Sequence, residues 1–341
     1  MTLIDDIVKS HSVSVVGMEK NTGKTECLNY IIKNLPLEGL TVAVTSIGVD
    51  GETTDIVTGT HKPEIFLREG MMFSTSEKHY RQRHILSELL DVDDESTALG
   101  RVVTARALDY GKIMLSGPST GKGLARWIGR MHSFGAGLTL IDGAISRLSS
   151  ASPAISEAMV LSTGAALSAN MNELVRKTVH TVSIILSDKY EGKCADRLQD
   201  VETGLWTIDA DGNAEQIEET ASALSLSQVK TSLAAGHKGI FVAGAVTDRI
   251  VDRLVSDGAK DGFAIVAKDF TKVFISPEKM LLMKRLGLKL EMLASVRLLA
   301  VCINPVSPNG MSLDPDRLRG RLEEVLPVPV YDLFRTTGGA E

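Results

Sequence analysis

The sequence predicts an α/β fold: a doubly wound, mainly parallel sheet with an inserted antiparallel β element. Three observations carry this expectation. Short apolar runs alternate with helically spaced segments along most of the chain, as strand, helix, strand units require. The first apolar run, Ser12 to Val16, leads straight into a glycine-containing turn and then a helix. Between about Pro63 and Ser116 the rhythm changes to short strands punctuated by Gly70, Gly100 and Gly111.

The elements follow in order. From Gly23 the apolar spacing becomes helical through Leu28, Ile31, Ile32 and Leu35, and Pro36 and Gly39 stop that helix. Leu40 to Ile47 reads as a buried strand, so the opening sixty residues form a strand, loop, helix, strand unit with parallel pairing. Within the inserted element, residues 63–67, Met71 to Ser74, Arg101 to Ala105 and Lys112 to Leu115 read as strands, with a helix near Arg81 to Leu90. A helix from Gly121 to about His132 precedes a short apolar strand, Gly137 to Ile141, which Asp142 closes. Helices are expected over Ser152 to Ser168 and Met171 to Lys177, a strand over Val179 to Leu186, and a β-hairpin over Leu205 to Gln216. The remainder alternates: strands Gly239 to Ala245, Phe263 to Ala267, Val296 to Ile303 and Val328 to Leu333, with helices Asp248 to Ser256, Pro277 to Leu286 and Pro315 to Val325. This divides the chain into a first lobe over residues 1–150, carrying the insertion at about 63–116, a second α/β lobe over 151–335 continuing the sheet, and a loose tail over 336–341.

At 341 residues the chain has the length of two ordinary domains, and 43% hydrophobic with 23% charged residues is a globular balance. With 37 basic against 43 acidic residues the net charge is -6, which gives no reason to expect attraction to nucleic acid or to an anionic membrane. Met1 to Ser10 carries Asp5 and Asp6 and lacks the apolar segment of a signal peptide. No apolar run approaches the ~18 residues of a membrane span, so the expected location is the cytoplasm. Cys27, Cys194 and Cys302 are too scattered for a disulfide framework or a metal site, and read as reduced, buried thiols. His79 and His84, five apart, form no zinc pattern.

The segment Gly17-Met18-Glu19-Lys20-Asn21-Thr22-Gly23-Lys24-Thr25 carries the chemistry. It ends in Gly-Lys-Thr between a strand and a helix, the setting of the phosphate-binding loop of P-loop NTPases. A triphosphate brings several negative charges. Backbone amides around Asn21 to Thr25 and the positive end of the following helix are suited to meet them. Lys24 supplies a point charge for the β and γ phosphates, and the Thr25 hydroxyl completes a Mg²⁺ shell. The expected cofactors are therefore ATP and Mg²⁺, with Gly17, Glu19, Lys20, Asn21, Thr22, Gly23, Lys24 and Thr25 around the nucleotide. Five residues separate Gly17 from Gly23, one more than in the strict motif, whose first glycine is Met18 here.

The metal also needs an acid. Asp142, at a strand end, is the stronger candidate; Asp50 follows the strand Leu40 to Ile47, with Glu52 and Asp55 near enough to share its work. Lys24, Asp142 and Asp50 are thus the expected catalytic groups, and Thr25, Asp50, Glu52 and Asp142 the metal ligands. Gly117-Pro-Ser-Thr-Gly-Lys122-Gly123 imitates a second phosphate loop, but three residues separate its outer glycines and Gly123 stands where a metal-binding hydroxyl is required. It reads as a strand-to-helix turn lining the site. No Asn-Lys-x-Asp element for guanine follows a late strand, so ATP is preferred over GTP. Asn304, before Pro305 at a strand end, is a candidate reader of adenine or a turn former.

The longer loop spacing resembles dethiobiotin synthetase and the cobyrinate amidating enzymes. Beyond the loop, Thr45 to Glu52, Lys62 to Ile65, Ala105 to Gly111 with Gly117 to Thr120, and Ile141 to Ala144 are similar to the P-loop subunit family of the reactivase for adenosylcobalamin-dependent lysine 5,6-aminomutase. The resemblance implies an ATPase working with a MutS-like second subunit to restore an inactivated aminomutase. In that role the segment Asp50 to Thr60 and the insertion at 63–116 are the expected partner-contacting elements. A ligase of dethiobiotin synthetase type, acting on a small carboxylate, is the alternative; a nucleotide-dependent scaffold without turnover is a third. A glutamine-using ligase needs a nucleophilic Cys on a tight glycine turn, and none of the three cysteines sits in one. No cobalamin motif of the Asp-x-His-x-x-Gly kind is present.

Overall fold

The protein is described by a computed structural model covering residues 2–47, 65–97, 99–144, 152–153, 155–218, 229 and 231–333. It forms two compact units, the first comprising Met1–Val179 with Val296–Glu341 and the second His180–Ser295. This division differs from the expected boundary at 150, because the segment after 295 returns to the first sheet.

Unit 1 is built on β1 (Ser12–Gly17), β2 (Val42–Ser46), β4 (Met72–Ser76), β5 (Ser87–Thr97), β6 (Gly100–Ala107), β8 (Leu138–Ala144), β9 (Ala158–Gly164), β18 (Arg297–Asn304) and β19 (Val330–Tyr331). They form one sheet in the order β19-β18-β9-β1-β8-β2-β4-β6-β5. All pairs from β19 through β4 are parallel, and β6 and β5 add an antiparallel edge. A separate antiparallel pair joins β3 (Ile65–Leu67) to β7 (Gly111–Ile113). The result is a mixed α/β unit with a large, mostly parallel sheet.

Alternate side chains of the central strands face opposite sides. Val42 and Val44 pack with Leu28, Ile31 and Ile32 of α2 (Lys24–Asn34), whereas Ala43 packs with Leu124, Trp127 and Met131 of α4 (Gly121–Ser133). Helices therefore cover both faces, as in a doubly wound arrangement. The short α1 (Leu3–Ile7) starts in a capping box made by Thr2 and Asp5, and Leu3 and Ile7 are buried on the α2 side. Arg68 donates to the carbonyls of Ile32 and Leu35, which closes the C-terminal end of α2.

Several expectations are corrected. β1 and β2 are not neighbours, since β8 lies between them and pairs parallel with both. The stretch after 63 is not inserted into the sheet but extends it, because β4 pairs parallel with β2. The helix expected over Arg81 to Leu90 is instead α3 (Glu77–Arg81), which begins where Ser76 Oγ accepts the His79 amide. Leu86 is held beside Leu108 and Asp109, so β5 starts at Ser87. The helix expected over Ser152 to Ser168 is replaced by β9, whose seven residues are all buried. A continuous apolar run does not distinguish a strand buried on both faces from a buried helix. Conversely, the strand expected over Val179 to Leu186 is the second half of α5 (Met171–Ile185). Its buried positions Leu174, Thr178, Val182 and Ile185 keep helical spacing, and packing overrides the β-branched composition. β8 also runs past Asp142 to Ala144. Asp50, Glu52 and Asp55, the segment to Thr60, residues 63 and 64 of the insertion, and the tail 336–341 lie outside the described residues.

Unit 2 has its own six-stranded sheet, β10 (Asp188–Lys189), β17 (Lys289–Met292), β15 (Ala264–Ala267), β13 (His237–Val242), β11 (Leu205–Asp209) and β12 (Ala214–Glu218), in that order. The sheet expected to continue is thus a second sheet. Its hairpin β11–β12 turns where expected, because the Asp209 carboxylate accepts the amides of Asp211 and Asn213. Tyr190, Cys194, Leu198, Trp206, Phe241 and Val266 pack together on this sheet, with α6 (Ala195–Gln199) supplying Leu198. α7 (Asp248–Ser256) and α8 (Pro277–Arg285) complete the unit, and α9 (Pro315–Glu323) belongs to unit 1. Among the described residues no helix is long and apolar enough to cross a membrane.

Candidate functional site

The site lies at the carboxyl ends of β8, β1, β9 and β18. From β1 the chain crosses toward β2, and from β9 it returns to β18 on the other side, so connections diverge at the β1–β9 pair. Such divergence opens a crevice above the strand ends.

Gly17 ends β1, in register with Ala144 and Ser162. A Cβ here would stand 2.8 Å from Thr22 Oγ1 and 3.2 Å from the Glu19 carbonyl, so a side chain at Gly17 would collide with the turn above it. That turn is closed by Thr22 Oγ1 donating to the Glu19 carbonyl at 2.9 Å. Asn21 has φ 62, the only positive value outside glycine among the described residues, and Gly23 has φ 87. Left-handed residues on both sides of Thr22 curl the chain so that successive amides face inward, the form of an anion-binding nest.

The hydrogen bonds divide the loop sharply. The carbonyls of Glu19, Asn21, Thr22 and Gly23 accept from Thr22 Oγ1, Asn304 Nδ2, Ser162 Oγ and the Cys27 amide respectively. The backbone amides of Asn21, Thr22, Gly23, Lys24, Thr25 and Glu26 have no acceptor among the described residues. Four loop carbonyls are thus tied back, and among the described residues the six adjacent amides are left for a ligand. The dipole of the eleven-residue α2 adds positive potential at the same point.

Lys24 Nζ lies 2.8 Å from Oδ1 of Asp142, with both side chains mostly buried. The distance is that of an ion pair, but Oδ1 accepts no hydrogen bond among the described residues, so its lone pairs are incompletely used. The carbonyl of Asp142 accepts from Ser46 Oγ and the Ile47 amide, which fixes β8 against the end of β2. Glu19, Lys20 and Asn21 are exposed on the rim, and Glu19 Oε1 accepts the Lys20 amide.

A Mg²⁺ ion is compatible with these donors. Asp142 offers a mostly buried carboxylate, here paired with Lys24, and Thr25 stands in the first turn of α2. Among the described residues no group of three or more His, Cys, Asp or Glu side chains could hold a metal. Mg²⁺ commonly takes one or two carboxylates and completes its shell with phosphate oxygens and water. Asp50 and Glu52, the other expected metal ligands, lie outside the described residues.

Asn304 takes the turn-forming role, one of the two expected for it, and adds a contact to the loop. It is 8% exposed, its Nδ2 donates to the Asn21 carbonyl at 3.2 Å, and its Oδ1 accepts the Val306 amide. Both ends of the amide are engaged, so Asn304 props the loop and closes the turn that follows it. Beyond it, the segments following Gly164 and Asn304 enclose a cavity of about 330 Å³ lined by Ala165, Ala166, Ser168, Ser307, Pro308 and Met311. Gly164 is required at this seam, because a Cβ there would stand 2.1 Å from the Asn304 carbonyl oxygen.

The second glycine segment behaves as expected. Thr120 Oγ1 accepts the Gly123 amide and caps α4, and a Cβ on Gly117 would stand 1.9 Å from the Ser46 carbonyl oxygen. The segment is a turn pressed onto the end of β2. Ser162, which sequence reasoning missed, sits in the strand misread as helix; its hydroxyl and its carbonyl both hold the loop.

Comparison with family models, with curated proteins and with solved structures finds no match.

Proposed function

We propose that this chain is a P-loop ATPase. The observation that supports it is the loop with four carbonyls tied back and six adjacent amides without an acceptor among the described residues, curled around the start of α2 beside Lys24. In this reading the amides of Asn21 to Thr25 hold the β and γ phosphates, and Lys24 moves from Asp142 to a phosphate oxygen, where its charge opposes the charge building up during transfer. Asp142, released from Lys24, and the Thr25 hydroxyl would hold Mg²⁺, which would neutralise phosphate charge there. The cavity after Gly164 and Asn304, lined by alanines and Met311 together with Ser168, Ser307 and Asn309, adjoins the residue that props the loop and has the volume to take a base. ATP is preferred over GTP because the guanine-reading Asn-Lys-x-Asp element is missing from the sequence.

On the resemblance in the loop and the segments around Thr45, Ala105, Gly117 and Ile141, the hydrolysis cycle serves a reactivase. It alternates affinity for a MutS-like second subunit and for an adenosylcobalamin-dependent aminomutase. Such a cycle works only if the nucleotide states differ in partner affinity. A glutamine-dependent ligase is disfavoured, because all three cysteines are buried; the hydrogen bond with the Cys27 sulfur, and then burial, push the Cys302 thiol well up. The test is phosphate release by the chain alone, with the second subunit, and with the aminomutase. Stimulation by the partners supports the reactivase; ATP-dependent conversion of a small carboxylate without them supports a ligase.

A further inference from the structure

We propose that Ser162 and Asn304 are positioning residues that set the direction of the loop amides; the proposal rests on the nucleotide-binding reading above. Within one planar peptide the carbonyl of a residue and the amide of the next point in opposite directions. Asn304 Nδ2, donating to the Asn21 carbonyl, therefore fixes the Thr22 amide away from β18, and Ser162 Oγ, donating to the Thr22 carbonyl, fixes the Gly23 amide away from β9. These two peptides lie between the left-handed residues Asn21 and Gly23, where a flip of either plane is a local rearrangement. Flipped, each would aim a carbonyl oxygen at an anion in place of an amide. A left-handed Asn is unfavourable by itself, so outside contacts must hold it.

Ser162 and Asn304 are 1% and 8% exposed, and each donates to a loop carbonyl, so both are placed to act through the loop. They also come from adjacent strands in register, Ser162 opposite Cys302 and Gly164 opposite Asn304, which makes the pair a rigid bracket. Each side chain has a substitution that removes its donor; because Asn304→Asp also adds a negative charge near the anion, only a loss shared with Ser162→Ala is read as loss of the donor. Asn304→Asp keeps the Oδ1 acceptor for the Val306 amide while removing Nδ2; Ser162→Ala removes the hydroxyl, and Ser162→Thr retains it.

The test is calorimetric titration of the full chain with Mg²⁺ and inorganic tripolyphosphate, which has phosphates but no base or sugar, alongside the melting temperature of ligand-free protein. The expected result is a loss of affinity of about tenfold or more in Ser162→Ala and in Asn304→Asp, each removing orientation from a charge-assisted hydrogen bond. Ser162→Thr should bind as the parent does, and Ser162→Ala, which leaves the buried Thr22 carbonyl without its donor, should melt lower yet stay folded at the temperature of the titration. Parent-like tripolyphosphate affinity in both Ser162→Ala and Asn304→Asp overturns the proposal while leaving the nucleotide reading intact. A parent protein that binds neither tripolyphosphate nor ATP removes that reading, and the positioning role with it. Should Asn304→Asp fail to fold, the Ala and Thr variants at Ser162 decide.

Discussion

Lys24 Nζ and Asp142 Oδ1 are 2.8 Å apart, joining the first residue of α2 to the strand beside β1. The pair stores the lysine at the point where phosphate and metal are expected to arrive, so binding exchanges one set of charges for another. Lys24→Ala and Asp142→Ala should each lower Mg²⁺-dependent ATP turnover by about a hundredfold or more, as loss of a charge facing the transferring phosphoryl group does elsewhere. Phosphate release measured under saturating nucleotide checks this, and parent-level turnover in either variant contradicts the assignment.

Two glycines in neighbouring elements should respond in opposite ways to alanine. At Gly117 a Cβ meets the Ser46 carbonyl oxygen at 1.9 Å, and backbone does not give way; the expected cost is about 1–3 kcal/mol or more. At Gly129, in the middle of α4, a Cβ meets nothing within 4 Å, so Gly129→Ala should stabilise by about 0.5–1 kcal/mol through helix propensity. Thermal unfolding followed by circular dichroism should show a lower midpoint for Gly117→Ala and a higher one for Gly129→Ala.

The two tryptophans report on separate units. Trp127 is fully buried on α4 with its Nε1 donating to Thr104 Oγ1 at 2.8 Å, and Trp206 lies on β11. Trp127→Phe leaves the Thr104 hydroxyl unpaired in the core, at a cost of about 1–3 kcal/mol to unit 1. Urea titrations followed by circular dichroism should show a lower midpoint for Trp127→Phe than for the parent, and an unchanged midpoint contradicts the assignment.

Much of this framework is legible in the sequence because local chemistry decides it. The strand, glycine turn and helix around Gly17 to Asn34 follow from apolar spacing and from Gly23 at a left-handed position, and Asp209 writes its own hairpin turn through hydrogen bonds to Asp211 and Asn213. Ala158 to Gly164 was not legible, because a strand buried on both faces has no period to read, and Ser162 was lost with it. Val179 to Leu186 misled for the complementary reason: its β-branched residues are helical because Leu174, Thr178, Val182 and Ile185 share one buried face. The role of Asn304 depends on a contact 283 residues distant in the chain, which no local pattern encodes.

Glu291 supplies a pH dependence in unit 2. Burial raises its carboxyl above the ordinary range; Lys289 opposes the shift, and Asp188, directly opposite on β10, adds to it. With the folded pKa above the unfolded one, the folded state holds more protons between the two values, so stability falls as pH rises through that window. Glu291→Gln should therefore raise the unfolding midpoint at neutral pH, and the gain should vanish below the ordinary carboxylate range. Because the side chain is only half-buried, solvent screening keeps the effect small. Melting curves of both proteins at pH 4 and pH 7 check it, and a gain equal at both pH values contradicts it.

The most direct measurement is calorimetric titration of the full chain with Mg-ATP, beside the Lys24→Ala variant. The account predicts saturable binding by the parent that is lost or strongly weakened when Lys24 is removed. Absence of heat in the parent, or equal affinity in the two proteins, would contradict it.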